Sequence, residues 1–262
     1  MKKGFQMFTV RDLLVNPHEM LAVFTELRKM GYESVQGYRM PFLTLAQYKE
    51  ILEEAGLEDC SSNADFERMR DDPSAIRAAV EEADFMGNTQ IAISTLPPQY
   101  RESEEGFKRY ADEINKIARI LVKEGKKMLY HPHALEFYSF GGGRKGMDIL
   151  LEETDPEGFW FCLDTHWLVC GGVDIGDWYR KAGGRMSIVH YKDYAVIPGA
   201  KKVEEVHKRY AEVGEGNIDW SKVVQVSREI GIEHAVVEQD ECPANPMDSL
   251  AVSCKNMSLF GI

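Results

Sequence analysis

Paired cysteines are missing from this sequence. Its five cysteines, Cys60, Cys162, Cys170, Cys242 and Cys254, lie at irregular spacing and form no CxxC pair. An odd number of scattered cysteines argues against a disulfide framework, and the lack of a CxxC pair argues against a cysteine-ligated zinc. Cys162 lies inside an apolar run, where a thiol packs as a small core side chain.

Positive charge and long apolar runs are also scarce. The chain has 31 Lys and Arg against 43 Asp and Glu, which gives a formal net charge of -12, and no basic cluster offsets it. An acidic surface repels phosphate backbones, so we expect no nucleic-acid partner. No long apolar stretch follows the two lysines of "MKKGFQMFTV". We therefore expect no signal peptide and no membrane span, and a cytoplasmic location.

A linker and a dinucleotide fingerprint are absent as well. No Pro/Ser-rich segment divides the 262 residues, so the sequence predicts one domain over 1–262. No GxGxxG motif follows the first apolar run, which argues against the doubly wound open sheet, the main rival fold. The composition, with 44% hydrophobic and 28% charged residues, allows a large core and a well-solvated surface.

Short apolar runs alternate with longer segments whose apolar residues recur every three to four positions. Eight such strand–helix units at a spacing of roughly 30 residues predict an α/β fold, a (β/α)8 TIM barrel. Capping signals mark helix starts after Asn16, Thr44 and Asn245, and a long irregular stretch at about 193–217 is predicted to cover the site as a lid. The predicted strands are 4–10, 34–38, 57–63, 89–95, 127–133, 159–164, 186–192 and 234–239.

Titratable side chains stand at the ends of the last four predicted strands. Four of the seven histidines are among them, and burying so many polar groups costs several kcal/mol unless they are paired or bound to a cation. In a barrel these ends converge on one mouth. Because side chains alternate along a strand, each of the following pairs shares a face. The pairs are His131 with His133, Asp164 with His166, His190 with Lys192, and Glu238 with Asp240.

This donor set indicates a divalent metal site. Carboxylates with an imidazole form a hard, oxygen-rich site that suits Mn²⁺ first, with Mg²⁺, Co²⁺ and Zn²⁺ as alternatives. Such an ion would neutralise the acids and polarise a hydroxyl or carbonyl group of a substrate. Other charges, among them Arg11, Glu33 and Asp193, are interpreted as solvated loop residues.

Five ordered motifs resemble one known family. The chain is similar to the xylose isomerase-like TIM barrel superfamily, and within it to the sugar phosphate isomerase/epimerase family; "QMFTVRDLL" resembles that group's opening strand. The motifs are "YHPHALEF" (130–137), "LDTHW" (163–167), "VHYKD" (189–193), "VGEGNIDW" (213–220) and "VVEQDEC" (236–242).

The resemblance implies a metal held by one side chain from each of the last four strands, with the two glutamates also acting as acid and base. The implied metal ligands are Glu136, Asp164, His190 and Glu238. Substrate contacts are implied for His131, His133, His166, Trp167, Lys192 and Gln6.

Two features complicate this assignment. Glu136 has the wrong parity for the face of His131 unless the chain bends after Ala134; without that bend His133 becomes the ligand. Val35-Gln36 stands where relatives often have Glu, and Ser62-Asn63 where many have His. Both changes replace titratable groups by neutral ones, which affects the identity of the substrate more than metal binding.

The leading functional hypothesis is a metal-dependent isomerase or epimerase acting on a sugar or sugar phosphate through an enediolate. The alternative is a lyase that uses the same site on a keto-sugar, inosose or 3-keto-glycoside. A phosphodiesterase conflicts with the charge, and a non-catalytic sugar sensor conflicts with the presence of both carboxylates. The expected partner is a small carbohydrate. Relatives often form dimers or tetramers, so a homo-oligomer is compatible with the sequence, which fixes no number.

Overall fold

A computed structural model of the chain describes residues 1–94, 96–202 and 207–262. The last residue of the predicted strand 89–95 and residues 203–206 of the predicted long loop lie outside these described residues. The chain forms two compact units. The first unit contains Met1–Asp59 and Ile188–Ile262, and the second contains Cys60–Ser187.

Each of the eight predicted strand regions overlaps a short strand, and the region 57–63 contains two. The strands are β1 (Lys2–Gln6), β2 (Ser34–Gln36), β3 (Glu58–Asp59), β4 (Ser62–Asn63), β5 (Gln90–Ile93), β6 (Lys127–Tyr130), β7 (Phe159–Phe161), β8 (Ile188–Tyr191), β9 (Asp193–Ile197), β10 (His207–Ala211) and β11 (His234–Val237).

Helices follow most strands, and the predicted caps at Asn16, Thr44 and Asn245 are confirmed. The helices are α1 (Pro17–Met30), α2 (Leu45–Ala55), α3 (Phe66–Asp71), α4 (Pro73–Met86), α5 (Glu104–Lys123), α6 (Gly146–Glu153), α7 (Thr165–Cys170), α8 (Ile175–Ala182), α9 (Trp220–Glu229) and α10 (Pro246–Leu259), with 3-10 helices at Met7–Leu13, Pro98–Tyr100 and Ala134–Phe137. No helix among the described residues combines the length and the apolarity that crossing a bilayer requires.

The first unit is built on a parallel sheet with the strand order β3-β2-β1-β11-β8. Its core includes Phe5, whose ring meets Phe24 and Tyr32 edge-on at centroid distances of 5.5 and 5.6 Å. The Tyr32 hydroxyl donates to the Leu250 carbonyl at 2.9 Å, so the buried phenol is satisfied and α10 is joined to the end of α1. The sheet thus brings the carboxyl ends of β1, β2, β8 and β11 to one edge of this unit.

The second unit is built on a parallel sheet with the strand order β4-β5-β6-β7. A row of aromatic rings fills its core: Phe66, Tyr110, Tyr130 and Phe159 follow one another at centroid distances of 4.8, 6.0 and 5.7 Å. This sheet aligns the carboxyl ends of β6 and β7, where the predicted site residues of this unit begin.

The predicted strands run past the real strand ends. The first was expected to continue to residue 10, but β1 ends at Gln6 because its side-chain oxygen accepts the Phe8 amide and turns the chain into a 3-10 helix. The strand expected at 127–133 ends at Tyr130, and that expected at 159–164 ends at Phe161. Several site residues therefore lie in the turns just beyond the strands.

The stretch predicted as an irregular lid contains an antiparallel hairpin instead. β9 pairs with β10, with Ile197 opposite His207 at one end of the ladder and Asp193 opposite Ala211 at the other. Asp193 was interpreted as a solvated loop charge, which is wrong: it is buried, and its carboxylate accepts the amides of Gly214, Gly216 and Ile218 at 3.1 to 3.3 Å. These bonds connect the start of the hairpin to the segment before α9.

Candidate active site

Two predicted metal ligands meet in the first unit. His190 lies on β8 opposite Val236 of the neighbouring β11, and Glu238 follows β11 directly. The Glu238 amide donates to the Tyr191 carbonyl at 3.2 Å, which extends the ladder by one residue. The two side chains are buried, and His190 Nδ1 lies 3.1 Å from Glu238 Oε2.

Lys192 supplies positive charge beside this pair. Only 2% of its surface is exposed, and its Nζ donates to Glu238 Oε2 at 3.2 Å and to Asp240 Oδ1 at 2.6 Å. Two carboxylates offset the cost of burying the ammonium group. Both terminal nitrogens of Arg11 donate to the Asp240 carbonyl at 3.1 Å, so Arg11 is not a solvated loop charge as predicted.

Gln36 is a member of this cluster that the sequence interpretation left outside the site. Its Oε1 contacts His190 Nε2, and Gln6 Nε2 donates to the same oxygen at 3.3 Å. The sequence feature that could have identified Gln36 is its position at the carboxyl end of a buried strand, directly after Val35. It was not assigned to the site because glutamine departs from the family pattern there. Asp240 was missed as the partner of Lys192 although the two were placed at neighbouring strand ends.

Asp164 and His131 meet in the second unit. Asp164 is 1% exposed and forms the N-cap of α7, where its Oδ1 accepts the Trp167 amide at 3.0 Å. His131 Nδ1 lies 3.2 Å from the Cys162 carbonyl, which fixes this nitrogen as the N–H donor. The two residues offer ligand atoms within 4.8 Å of each other.

Glu136 occupies the bend that the sequence required. Residues Ala134–Phe137 form a 3-10 helix, which turns the Glu136 side chain inward until it is 1% exposed. Its carboxylate accepts the Tyr130 hydroxyl at 2.5 Å and the His133 amide at 2.8 Å. Burial raises the pKa of Glu136, while these two donors act in the opposite direction.

The remaining predicted substrate residues of the second unit form a wall of rings. His131 and His133 are 4.9 Å apart between centroids, His133 and Trp167 are 5.2 Å apart, and Trp167 and His166 are 4.9 Å apart. His166 Nε2 also lies 3.4 Å from Cys170 Sγ. The rings meet edge to face along this row, with His133 and Trp167 half-buried and His131 and His166 buried.

The structure thus brings the predicted site residues together in two groups. In the first unit, His190, Glu238 and Lys192 form one cluster, and Gln6 joins it through Gln36. In the second unit the cluster comprises His131, His133, Glu136, Asp164, His166 and Trp167. Both groups lie at or just beyond the carboxyl ends of parallel strands.

Comparison with known proteins finds similarity to enzymes of carbohydrate chemistry. The chain is 27% identical to an inosose dehydratase of Clostridium perfringens over 263 aligned positions, which cover 94% of this chain and 82% of the relative. A solved sugar phosphate isomerase/epimerase from Parabacteroides distasonis superposes with a TM-score of 0.77 at 22% identity and covers 98% of this chain and 93% of that one. The zinc-bound IOLI protein superposes with a TM-score of 0.75 at 16% identity, covering 99% and 98% of the two chains.

The match to a family model decides the fold class. Residues 24–253 match the xylose isomerase-like TIM barrel model. The predicted α/β barrel and the predicted resemblance are therefore confirmed, and the chain belongs to the xylose isomerase-like TIM barrel family.

Proposed function

We propose that this protein is a divalent-metal-dependent lyase that removes water from an inosose or a related keto-sugar. The observation that supports this most strongly is the similarity to an inosose dehydratase over 94% of the chain. It favours the alternative of the sequence analysis over the isomerase, which was its leading hypothesis. The expected partner is one small carbohydrate molecule.

The proposed metal ligands are Asp164, His190 and Glu238, with a fourth donor from Glu136 or His131. The ends of parallel barrel strands meet at one mouth in this fold, which supports a shared ion. The His190–Glu238 pair fits a metal: its donor atoms are 3.1 Å apart, close to the separation of about 3 Å between adjacent ligands at bonds of about 2.1 Å. The hard donor set favours Mn²⁺, and the zinc in the IOLI protein makes Zn²⁺ the second ion to test.

A bound divalent ion would supply positive charge that polarises a carbonyl and its neighbouring hydroxyl group. In our proposal Glu136 removes the proton α to the carbonyl. Burial raises its pKa toward the range in which a carboxylate accepts a proton from carbon more effectively. Tyr130 and the His133 amide hold this carboxylate in a fixed orientation.

The second step expels the hydroxyl group β to the carbonyl. The electron pair of the broken C–H bond forms the new C=C bond, and the C–O bond breaks. Glu238 passes a proton from the Lys192 ammonium group, which donates to its Oε2, to the departing oxygen, which leaves as water. Lys192, which donates to Glu238 at 3.2 Å, is placed to return a proton to that carboxylate.

We assign substrate binding to the side chains predicted from the family motifs. His133, His166 and Trp167 belong to the ring wall, where a sugar ring can pack on an aromatic face and donate to imidazole nitrogens. Lys192 and Gln6 lie beside the proposed ligands and would contact the oxygens of the substrate, and His131 would do so where Glu136 supplies the fourth metal ligand.

Isomerisation or epimerisation is the second candidate function. The solved sugar phosphate isomerase/epimerase supports it by name, and removal of the same α proton begins both reactions. The reactions diverge afterwards, because an isomerase or epimerase returns a proton to carbon whereas a lyase loses the β hydroxyl group as water.

A single experiment separates the two. Purified protein is analysed for metal and then incubated in D₂O with inososes and keto-sugars, with Mn²⁺, with Zn²⁺ or with chelator. We expect metal-dependent loss of water and an ultraviolet-absorbing enone, reduced by about 10²–10⁴-fold in Glu136→Gln. A new isomer or epimer that carries deuterium and forms without loss of water would instead establish the isomerase or epimerase, and equal activity with chelator would contradict both.

A further inference from the structure

A relay of side chains connects a backbone amide to His190 within the first unit. The Phe8 amide donates to Gln6 Oε1 at 3.3 Å. A backbone N–H can only donate, so the oxygen of the Gln6 amide must point toward Phe8. The Gln6 NH₂ group therefore points the other way, toward Gln36 Oε1 at 3.3 Å.

This orientation propagates to Gln36 and then to His190. Because Gln6 presents a donor, Gln36 must present its carbonyl oxygen to it. The same oxygen contacts His190 Nε2. A carbonyl oxygen accepts but never donates, so Nε2 of His190 bears the hydrogen.

The other nitrogen of His190 is then the one with a lone pair in the neutral ring. That nitrogen, Nδ1, lies 3.1 Å from Glu238 Oε2. An unprotonated nitrogen and a carboxylate oxygen repel at this distance unless a proton or a metal ion interacts with both. Gln36 is buried at the end of β2, so packing as well as hydrogen bonding holds its amide in place.

We infer that Gln36 is a positioning residue that fixes His190 in the Nε2–H tautomer and so makes Nδ1 the nitrogen that binds the metal. This inference rests on the proposed function, since it assumes that His190 and Glu238 ligate one ion. Partners of this kind beyond the ligands typically change metal affinity 10–100-fold when they are removed. An acceptor at residue 36 is what matters here, so a glutamate there would serve as well as a glutamine.

The first test identifies the bound nitrogen directly. Protein labelled with ¹⁵N in its histidines is loaded with ¹¹³Cd²⁺, and scalar coupling between the metal and the imidazole nitrogens is recorded. We expect coupling to Nδ1 of His190, with the ring hydrogen on Nε2. Coupling to Nε2 of His190 would overturn the inference while leaving the proposed metal site intact.

The second test measures Mn²⁺ and Zn²⁺ affinity by calorimetry in metal-free protein. We expect Gln36→Leu to weaken binding by about 10–100-fold and Gln36→Glu to stay within about threefold of the unsubstituted chain. Gln225→Leu, on the exposed face of α9, is the matched control and should leave affinity unchanged.

The outcomes separate the inference from the proposed function. Equal affinity in Gln36→Leu and the unsubstituted protein would overturn the inference alone. Failure of the unsubstituted protein to bind either ion would overturn the proposed function and the inference with it. A circular dichroism spectrum of each variant establishes that it is folded, and the cadmium experiment stands without any variant.

Discussion

At the scale of single residues, each buried charge at the strand ends has a partner within its own unit. Lys192 lies between Glu238 and Asp240, and Glu136 accepts from Tyr130 and the His133 amide. Such pairing lowers the free-energy cost of burying titratable groups and places them where they can transfer protons. The sequence predicted residues of this kind because a titratable side chain directly after an apolar run is unusual.

Tyr130→Phe tests the role of Glu136 as a base. The phenol donates to Glu136 Oε1, so its loss removes a group that favours the carboxylate and raises the pKa of Glu136 further. Because the base works as a carboxylate, we expect the acidic limb of the pH profile of kcat/KM to move to higher pH, with little change above it. Tyr138→Phe, at an exposed tyrosine, should leave the limb in place. An unmoved limb in Tyr130→Phe would exclude Glu136 as the titrating base.

The variants His131→Gln and Glu136→Gln test which of the two residues is the fourth metal ligand. Both oxygens of Glu136 accept hydrogen bonds from Tyr130 and His133, whereas His131 donates Nδ1–H to Cys162 and directs Nε2 away from that carbonyl. We therefore expect Glu136→Gln to retain Mn²⁺ but lose turnover, and His131→Gln to bind Mn²⁺ about 10-fold more weakly or worse. Elemental analysis after dialysis measures both. The reverse pattern would return Glu136 to the ligand set that the family resemblance implies.

At the scale of elements, the sequence predicted where strands and helices exist better than where they end. Capping residues such as Thr44 act through hydrogen bonds three positions away, so they are visible as a local pattern. The turn after β1 depends on one side chain, Gln6, competing with the strand ladder, and alternation alone does not show it. Within the two strands of the hairpin β9–β10, only the first and last residues, Asp193 and Ala211, are buried, so its apolar periodicity is weak.

Asp193 joins the hairpin to the segment before α9, and the Asp193→Asn variant tests how much this connection stabilises the fold. Its carboxylate accepts three loop amides and the Trp220 indole N–H at 2.6 Å. An asparagine has one acceptor oxygen and turns an NH₂ group toward the remaining donors, which leaves buried groups unsatisfied. We expect the free energy of unfolding to fall by about 2–4 kcal/mol, measured by urea denaturation. Asp112→Asn, on the exposed side of α5, should change it by less than about 0.5 kcal/mol.

Asp193 also shows why part of the fold could not be predicted from the sequence. Its partners Gly214, Gly216 and Trp220 lie more than twenty residues further along the chain. A Cβ at Gly216 would collide with the Asp193 carboxylate, so the glycine is required by a distant acid rather than by its own turn. Nothing in the local pattern around residue 193 distinguishes this buried acceptor from a solvated charge.

At the scale of the whole molecule, the barrel fold was predictable and the reaction was not. The alternation of strands and helices and the polar motifs at the strand ends predicted the family, and the match over 24–253 confirms it. An isomerase and a dehydratase of this family would share the α-proton step and the same carboxylates, so the residues that reveal the site do not separate the reactions. The choice between them depends on what surrounds the leaving oxygen of the substrate.

His234 makes the stability of the molecule depend on pH. It is buried at the start of β11, where Nδ1 lies 2.9 Å from Ser34 Oγ and Nε2 lies 3.7 Å from Glu58 Oε1. Burial lowers the pKa of His234 below its usual value despite the nearby carboxylate. As the pH falls, the unfolded chain therefore takes up this proton at a higher pH than the folded chain does. Protonation then stabilises the unfolded state relative to the folded state.

We expect the free energy of unfolding to be highest above about pH 6.5 and to fall below it, with this one group contributing at most about 1.4 kcal/mol per pH unit. His234→Gln removes the titrating group and should flatten that part of the curve, whereas His18→Gln, at an exposed histidine, should leave its slope unchanged. Urea denaturation of metal-free protein between pH 5 and pH 8 measures all three chains. A slope that survives in His234→Gln would assign the acid sensitivity of the fold to other groups, because a residue that no longer titrates makes no contribution to proton linkage.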